Sequence, residues 1–122
     1  MARVKRNAIE CSELNDEWHC VQELGQDAAD AVFEKHWDSW IDQRDVADIS
    51  DLQLNVNRVP VGSWLKQGLF QLGECDSRGA LKYIARLVDW AADAGIYVIM
   101  DFHRGPGGQY PNQQFTGHVS TI

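Results

Sequence analysis

Three residues have the types and spacing to act on a polar ligand. Asp101 and His103 stand two apart in the stretch IYVIMDFHRGPGG, Ile96 to Gly108, and Arg58 stands in LNVNRVPV, Leu54 to Val61. In a strand, residues two apart share a side, so Asp101 and His103 point the same way, in line with Tyr97 and Ile99. Arg58 lies in a segment otherwise suited to burial, where an unpaired guanidinium is costly. Asp101 is suited to bracing neighbouring backbone or Arg groups. An Asp-x-His pair is also half of a metal site, but no partner ligands stand at suitable spacing, so no metal is expected.

The elements that must position these residues are readable. Ile96 to Met100 is a continuous apolar run, which predicts a strand covered on both faces, as in a parallel sheet under helices. Arg104 to Gly108 cannot continue a strand and is expected to form a tight loop. An apolar strand that ends in polar residues and a Gly-rich loop is how α/β sheets and barrels build ligand sites at their C-terminal edges. Upstream, residues 1–14 read as a loose lead-in. A short turn or helix begins at Asn15-Asp16-Glu17-Trp18 and ends near Leu24-Gly25. Gln26-Asp27 opens an amphipathic helix with Val32, Phe33, His36, Trp37, Trp40 and Ile41 on one side. Asp42 is placed to cap a second short helix, with Asp45 in its first turn and Val46 and Ile49 as its buried stripe. Trp18, Trp37 and Trp40 lie on helices and read as core.

The strand at 54–61 carries Pro60 at its end, since proline cannot donate to the ladder. The loop from Gly62 to Gly79 is long enough to be functional. Ala80 to Ala94 is the cleanest helix, with Leu81, Ile84, Ala85, Val88, Ala91 and Ala92 in one stripe, and Gly95 stops it. Strand, helix and the strand at 96–102 form one βαβ unit with an expected right-handed crossover. Two parallel strands do not make a stable sheet, which points to part of a larger α/β domain.

Composition narrows the classes. The 122 residues carry 11 Lys and Arg against 18 Asp and Glu, a net charge of -7. That argues against a nucleic-acid binder and against a surface that seeks anionic membranes. No segment has the apolar length to span a bilayer. The basic start, MARVKRNAIECSEL, is followed by no apolar core, so no secretory signal is expected. The three Cys (Cys11, Cys20, Cys75) show no C-x-x-C spacing and give no metal site. Cys11 with Cys20 would close a loop in an oxidising compartment; free thiols are the alternative.

Five segments carry a resemblance: DEWHCVQELGQDAA (Asp16 to Ala29), FEKHWDSWI (Phe33 to Ile41), LNVNRVPVGSW (Leu54 to Trp64), LKYIARLVDWAADAGIYVIMDFHRGPGGQ (Leu81 to Gln109) and QFTGH (Gln114 to His118). In that order they resemble the N-terminal part of a glycoside hydrolase family 5 β-glucanase of the fungal type, nearest the endo-β-1,6-glucanases, with exo-β-1,3-glucanases next. The resemblance implies a partial α/β (β/α)8 TIM barrel, a fold of about 250 residues or more when complete. Residues 15–122 would carry strands two and three and the helices before each. It implies hydrolysis of β-glucan, polysaccharide or oligosaccharide, with retention and without cofactor. Retention needs two carboxyl groups roughly 5–5.5 Å apart. By the family layout both glutamates lie beyond Ile122, so this chain alone is expected to be inactive. The alternatives are a non-catalytic glucan-binding or decoy paralogue, or a degenerate gene product. The family is secreted, to the cell wall or medium, whereas this chain shows no signal.

The resemblance also assigns roles. Arg58 matches the Arg of an R-[IV]-P motif that lies beside the nucleophile and lowers its pKa; an edge-strand Arg reaching solvent is the alternative. His103 matches the His of a D-L-H motif that bonds sugar hydroxyls, against a structural His closing the strand. Asp101 stands with it at the sugar-binding edge. Trp64 would stack on a sugar ring if exposed, with loop packing as the alternative. Four positions depart from the family: Gln53 and Arg104 stand where Gly is usual, Asn57 replaces an apolar residue, and Ser63 replaces an aromatic one. Together they suggest drift away from the demands of a full barrel, and restoring Gly at position 104 would help if Arg104 crowds the cleft.

Overall fold

Among the described residues, four helices and two strands follow one another in the order that the periodicities predict. The structure, a computed structural model, describes residue 11 and residues 16–66, 68 and 72–110. The lead-in other than Cys11, and the QFTGH segment, lie outside the described residues. The elements are α1 (Glu17–Leu24), α2 (Gln26–Trp40), α3 (Gln43–Asp51), β1 (Val56–Gly62), a 3-10 turn (Ser63–Leu65), α4 (Leu81–Asp93) and β2 (Tyr97–Arg104).

Side-chain oxygens start two of the helices. Asp16 accepts from the His19 amide at 2.9 Å. Asp42 accepts from the amides of Arg44 and Asp45 at 2.9 and 3.1 Å, and Asp45 accepts from the Asp42 amide at 2.9 Å. This reciprocal pair satisfies donors that have no partner within the helix.

Helices α3 and α4 end in the same way, each directly before a strand. In α4, the Ile96 amide donates to Ala91 O at 2.8 Å and Gly95 to Ala92 O at 3.1 Å; in α3, Leu54 donates to Ile49 O at 3.2 Å and Gln53 to Ser50 O at 2.8 Å. Both are Schellman ends, which need one residue in the left-handed region. Gly95 takes it at φ 71°, whereas Gln53 takes it at φ 60° with a side chain. Glycine does this without steric cost; for Gln53 the cost is on the order of 1 kcal/mol.

β1 and β2 are parallel neighbours joined through α4, with Arg58 opposite Ile99 and Pro60 opposite Asp101. One face of the sheet is covered. Val59 and Val98 pack on a cluster formed by Val46 of α3, Leu87 and Ala91 of α4, and Ile96. A second cluster joins α1 to α2 through Cys20, Val21, Ala29 and Phe33. Cys11 is bonded to Cys20, and Cys75 is a free thiol packed against the same cluster.

Three expectations change. The strands are covered on one face only, and there in part: Val56, Tyr97 and Ile99 are exposed on the other face, and Met100 and Phe102 on the α4 side. The stripe of α4 is rotated, with Leu87 and Ala91 buried while Leu81, Ala85, Val88 and Ala92 face outward. The apolar arc of α4 is wider than the surface that α3 and the sheet cover. Its uncovered half meets β2 in an open apolar groove of about 520 Å³, lined by Val88, Ala92, Ile96, Val98 and Met100. In a closed barrel, neighbouring strands and helices cover such positions. Third, Trp18 is core and Trp37 is half-buried, but Trp40 is 43 % exposed at the last residue of α2, with its ring 4.8 Å from His36.

Candidate functional site

Arg58, the third residue of β1, and Asp101 and His103, in the C-terminal half of β2, come together across the strand pair. Arg58 Nε donates to Asp101 Oδ2 at 2.7 Å, and His103 Nδ1 lies 3.2 Å from Asp101 Oδ1. Alternation along β2 places Asp101 and His103 on one side, and parallel pairing sets Arg58 two residues before the partner of Asp101. An ionised carboxylate only accepts, so His103 carries a proton on Nδ1 and presents Nε2 as the ring's acceptor when neutral. Both Asp101 oxygens face cationic or N–H donors, which suits bracing and not proton transfer. The Arg58 side chain is 64 % exposed and that of His103 34 %. The trio is therefore a set of paired donors and acceptors at a partly exposed strand edge.

Arg104 departs furthest from expectation. It closes β2 instead of opening the loop, and it is 1 % exposed. Its guanidinium forms a two-point ion pair with Asp76, with the Nη2 to Oδ2 distance at 2.9 Å, and Glu74 lies 3.6 Å away. The indoles of Trp64 and Trp18 lie 4.8 and 5.4 Å from it. A buried charge is tolerated when paired and hydrogen-bonded in this manner. Arg104 is thus buried against Asp76 and the two indoles and does not lie on the open edge. Trp64 is 7 % exposed, so its indole packs against Arg104 and does not face solvent. A Cβ on Gly62 would land inside the Trp64 ring, which fixes glycine at that turn.

The loop between β1 and α4 is stitched to the first two helices. Gln26 Nε2 donates to Asp76 O at 2.9 Å, the Arg78 amide to Asp30 at 2.8 Å, and the Ser77 amide to Glu17 at 3.1 Å. Glu74 also accepts from the Gly107 amide at 3.1 Å, which ties this loop to the one after β2. Burial pushes the Glu17 carboxyl above its ordinary value, against the opposing hydrogen bonds from Ser77.

Sequence reasoning singled out Arg104 as a departure but missed Asp76 and Glu74 as its partners. The available signal was an acidic pair, Glu74-Cys-Asp76, in a long loop and an Arg directly after Asp-x-His. Among the described residues no cluster of three or more His, Cys, Asp or Glu is placed to hold a metal ion. Among them, too, no helix is long and apolar enough to cross a membrane.

Comparison with known proteins supplies the context for this edge. Residues 14–121 match the family described as Cellulase (glycosyl hydrolase family 5). The chain is 41 % identical over 116 residues to a probable glucan endo-1,6-beta-glucosidase B of Aspergillus terreus, covering 94 % of this chain and 29 % of that protein. It is 42 % identical over 121 residues to the glucan endo-1,6-beta-glucosidase B of Emericella nidulans, covering 98 % of this chain and 30 % of the relative. A probable glucan 1,3-beta-glucosidase A of Aspergillus terreus is 40 % identical over 94 residues, covering 77 % and 22 %. The chain thus spans less than a third of the length of these relatives.

Proposed function

Because the chain belongs to the cellulase family of glycosyl hydrolases, family 5, we propose that it forms the strand-two and strand-three part of a retaining β-glucan hydrolase. In that reading β1 and β2 are neighbouring barrel strands, and the trio of Arg58, Asp101 and His103 stands at the C-terminal mouth, where sites on this fold gather. The observation that carries the proposal is the Asp101 carboxylate holding Arg58 and His103 on one open edge. Retaining hydrolysis needs an acid/base and a nucleophile carboxylate across the scissile bond. Asp101 is engaged with the Arg58 guanidinium and the His103 ring and serves neither role. The reacting pair comes from outside these residues, and the chain contributes the groups that orient sugar hydroxyls and tune the nucleophile.

β-1,6-linked glucan is the first substrate to try, since the relatives matched over nearly the whole chain are named endo-1,6-beta-glucosidases. The test joins residues 1–122 to the remaining length of the Aspergillus terreus relative. We expect the joined protein to release reducing sugar from β-1,6-glucan with retained anomeric configuration, and the 122-residue chain alone to release none. Hydrolysis by the chain alone, lost in Asp101→Asn, would overturn this division of labour. A joined protein that folds and binds glucan without cleaving it would favour the non-catalytic glucan-binding alternative.

A further inference from the structure

The register of β2 breaks at one place. Val61 pairs with Phe102 and Gly62 with Arg104, so one step on β1 matches two on β2, and His103 is the extra residue of a β-bulge. A bulge bends its strand and re-aims the side chain it carries. Arg104, the next residue, is the most firmly held side chain at this edge, fixed by Asp76 and flanked by Trp18 and Trp64. Glu74 holds the Gly107 amide beyond it. Before the bulge the backbone is set by pairing of Asp101 with Pro60. The chain is thus pinned on both sides of Phe102 and His103.

From this we infer that Arg104 is a positioning residue for His103. Its buried pair with Asp76 fixes the backbone just beyond His103, and that holds the imidazole against Asp101 on the side that alternation gives it. Without the anchor the backbone at His103 would be held by strand pairing on one side only, and its ring would no longer be fixed against the carboxylate. Lysine cannot replace it, because a single ammonium lacks the planar fork that Asp76 and the two indoles grip. The consequence for sugar contact rests on the glucan reading, but the positioning does not.

The test records ring nitrogen NMR signals of His103 in the 122-residue chain, in the wild type and in Arg104→Lys and Asp76→Asn. In the wild type the Nδ1–H tautomer should dominate the neutral ring. In both variants its ratio to the Nε2–H tautomer should fall about fivefold to tenfold, the shift that losing one hydrogen bond produces. Ring signals unchanged in a folded variant would overturn the inference, as would a wild-type ring that already averages its tautomers. If both variants unfold, Arg104 is a folding residue and the inference also fails. No glucan enters the measurement, so its failure leaves the hydrolase reading standing, and an inactive joined barrel leaves the positioning standing.

Discussion

At the scale of single residues, the chain separates charges that reach solvent from charges that do not. Asp101 holds Arg58 at 2.7 Å on an open edge, whereas Asp76 holds Arg104 where almost no surface is exposed. The sequence made the shared side of Asp101 and His103 readable and suited Asp101 to bracing an Arg, but it did not single out Arg58 as that partner. It hid the second pair, because nothing local ties residue 104 to residue 76. Tertiary burial decides that pair. Glu17 gives a test at this scale. Burial raises its carboxyl above 4.5, so the folded chain holds that proton more tightly than the unfolded one. Its contribution is complete below about pH 4.5 and is lost as pH rises through the folded value. Asp76 and Arg104 act on the same carboxyl in opposite directions. Glu17→Gln keeps an acceptor for the Ser77 amide and removes the buried charge, so it should stabilise the chain by about 1 kcal/mol at pH 7. It should also flatten the fall in stability above pH 4.5. Melting curves at pH 4 and pH 7 check this, and a less stable variant at pH 7 would show that the charged bonds to Ser77 outweigh desolvation.

At the scale of elements, helix ends were the most legible feature. Asp16 and Asp42 cap as their types suggest, and Gly95 stops α4 in the left-handed conformation. The departure at Gln53 was legible through the family resemblance, which puts Gly at that helix end, and the structure has Gln53 in the left-handed region. Gln53→Gly should therefore stabilise the chain by about 0.5–1 kcal/mol, read as a rise in the denaturant midpoint. A fall would mean that the lost unfolded-state restriction exceeds the strain. The stripe of α4 was less legible, because its apolar residues run around more of the helix than α3 and the sheet cover, and periodicity alone does not say which part is used first. The link between Cys11 and Cys20 was left open by counting and is made in the structure. Closing a loop of nine residues' separation constrains the unfolded chain, so reduction should cost about 2.5–3 kcal/mol. Melting with and without reductant measures it; equal midpoints would contradict a structural role for the bond.

At the scale of the whole molecule, a two-stranded sheet with one bare apolar face is incomplete as a core. Val56, Tyr97 and Ile99 on that face, with Leu81 and Val88 on the outer side of α4, are exposed where a barrel places neighbours. This explains why both-face burial was readable in Ile96 to Met100 yet is met on one side. The sequence is written for a larger fold. Amides of β1 and β2 should exchange at least about tenfold more slowly once the chain is joined to the remaining length of a relative, as expected when frayed strands become core. The central claim, that Arg58 stands beside the nucleophile at the barrel mouth, is tested most directly by the pH–rate profile of the joined protein and its Arg58→Ala variant. Removing an adjacent positive charge raises a carboxylate's pKa, so the acid limb of kcat/KM should move up by about one pH unit. An acid limb that stays in place would contradict the account and leave Arg58 as a partner of Asp101 alone.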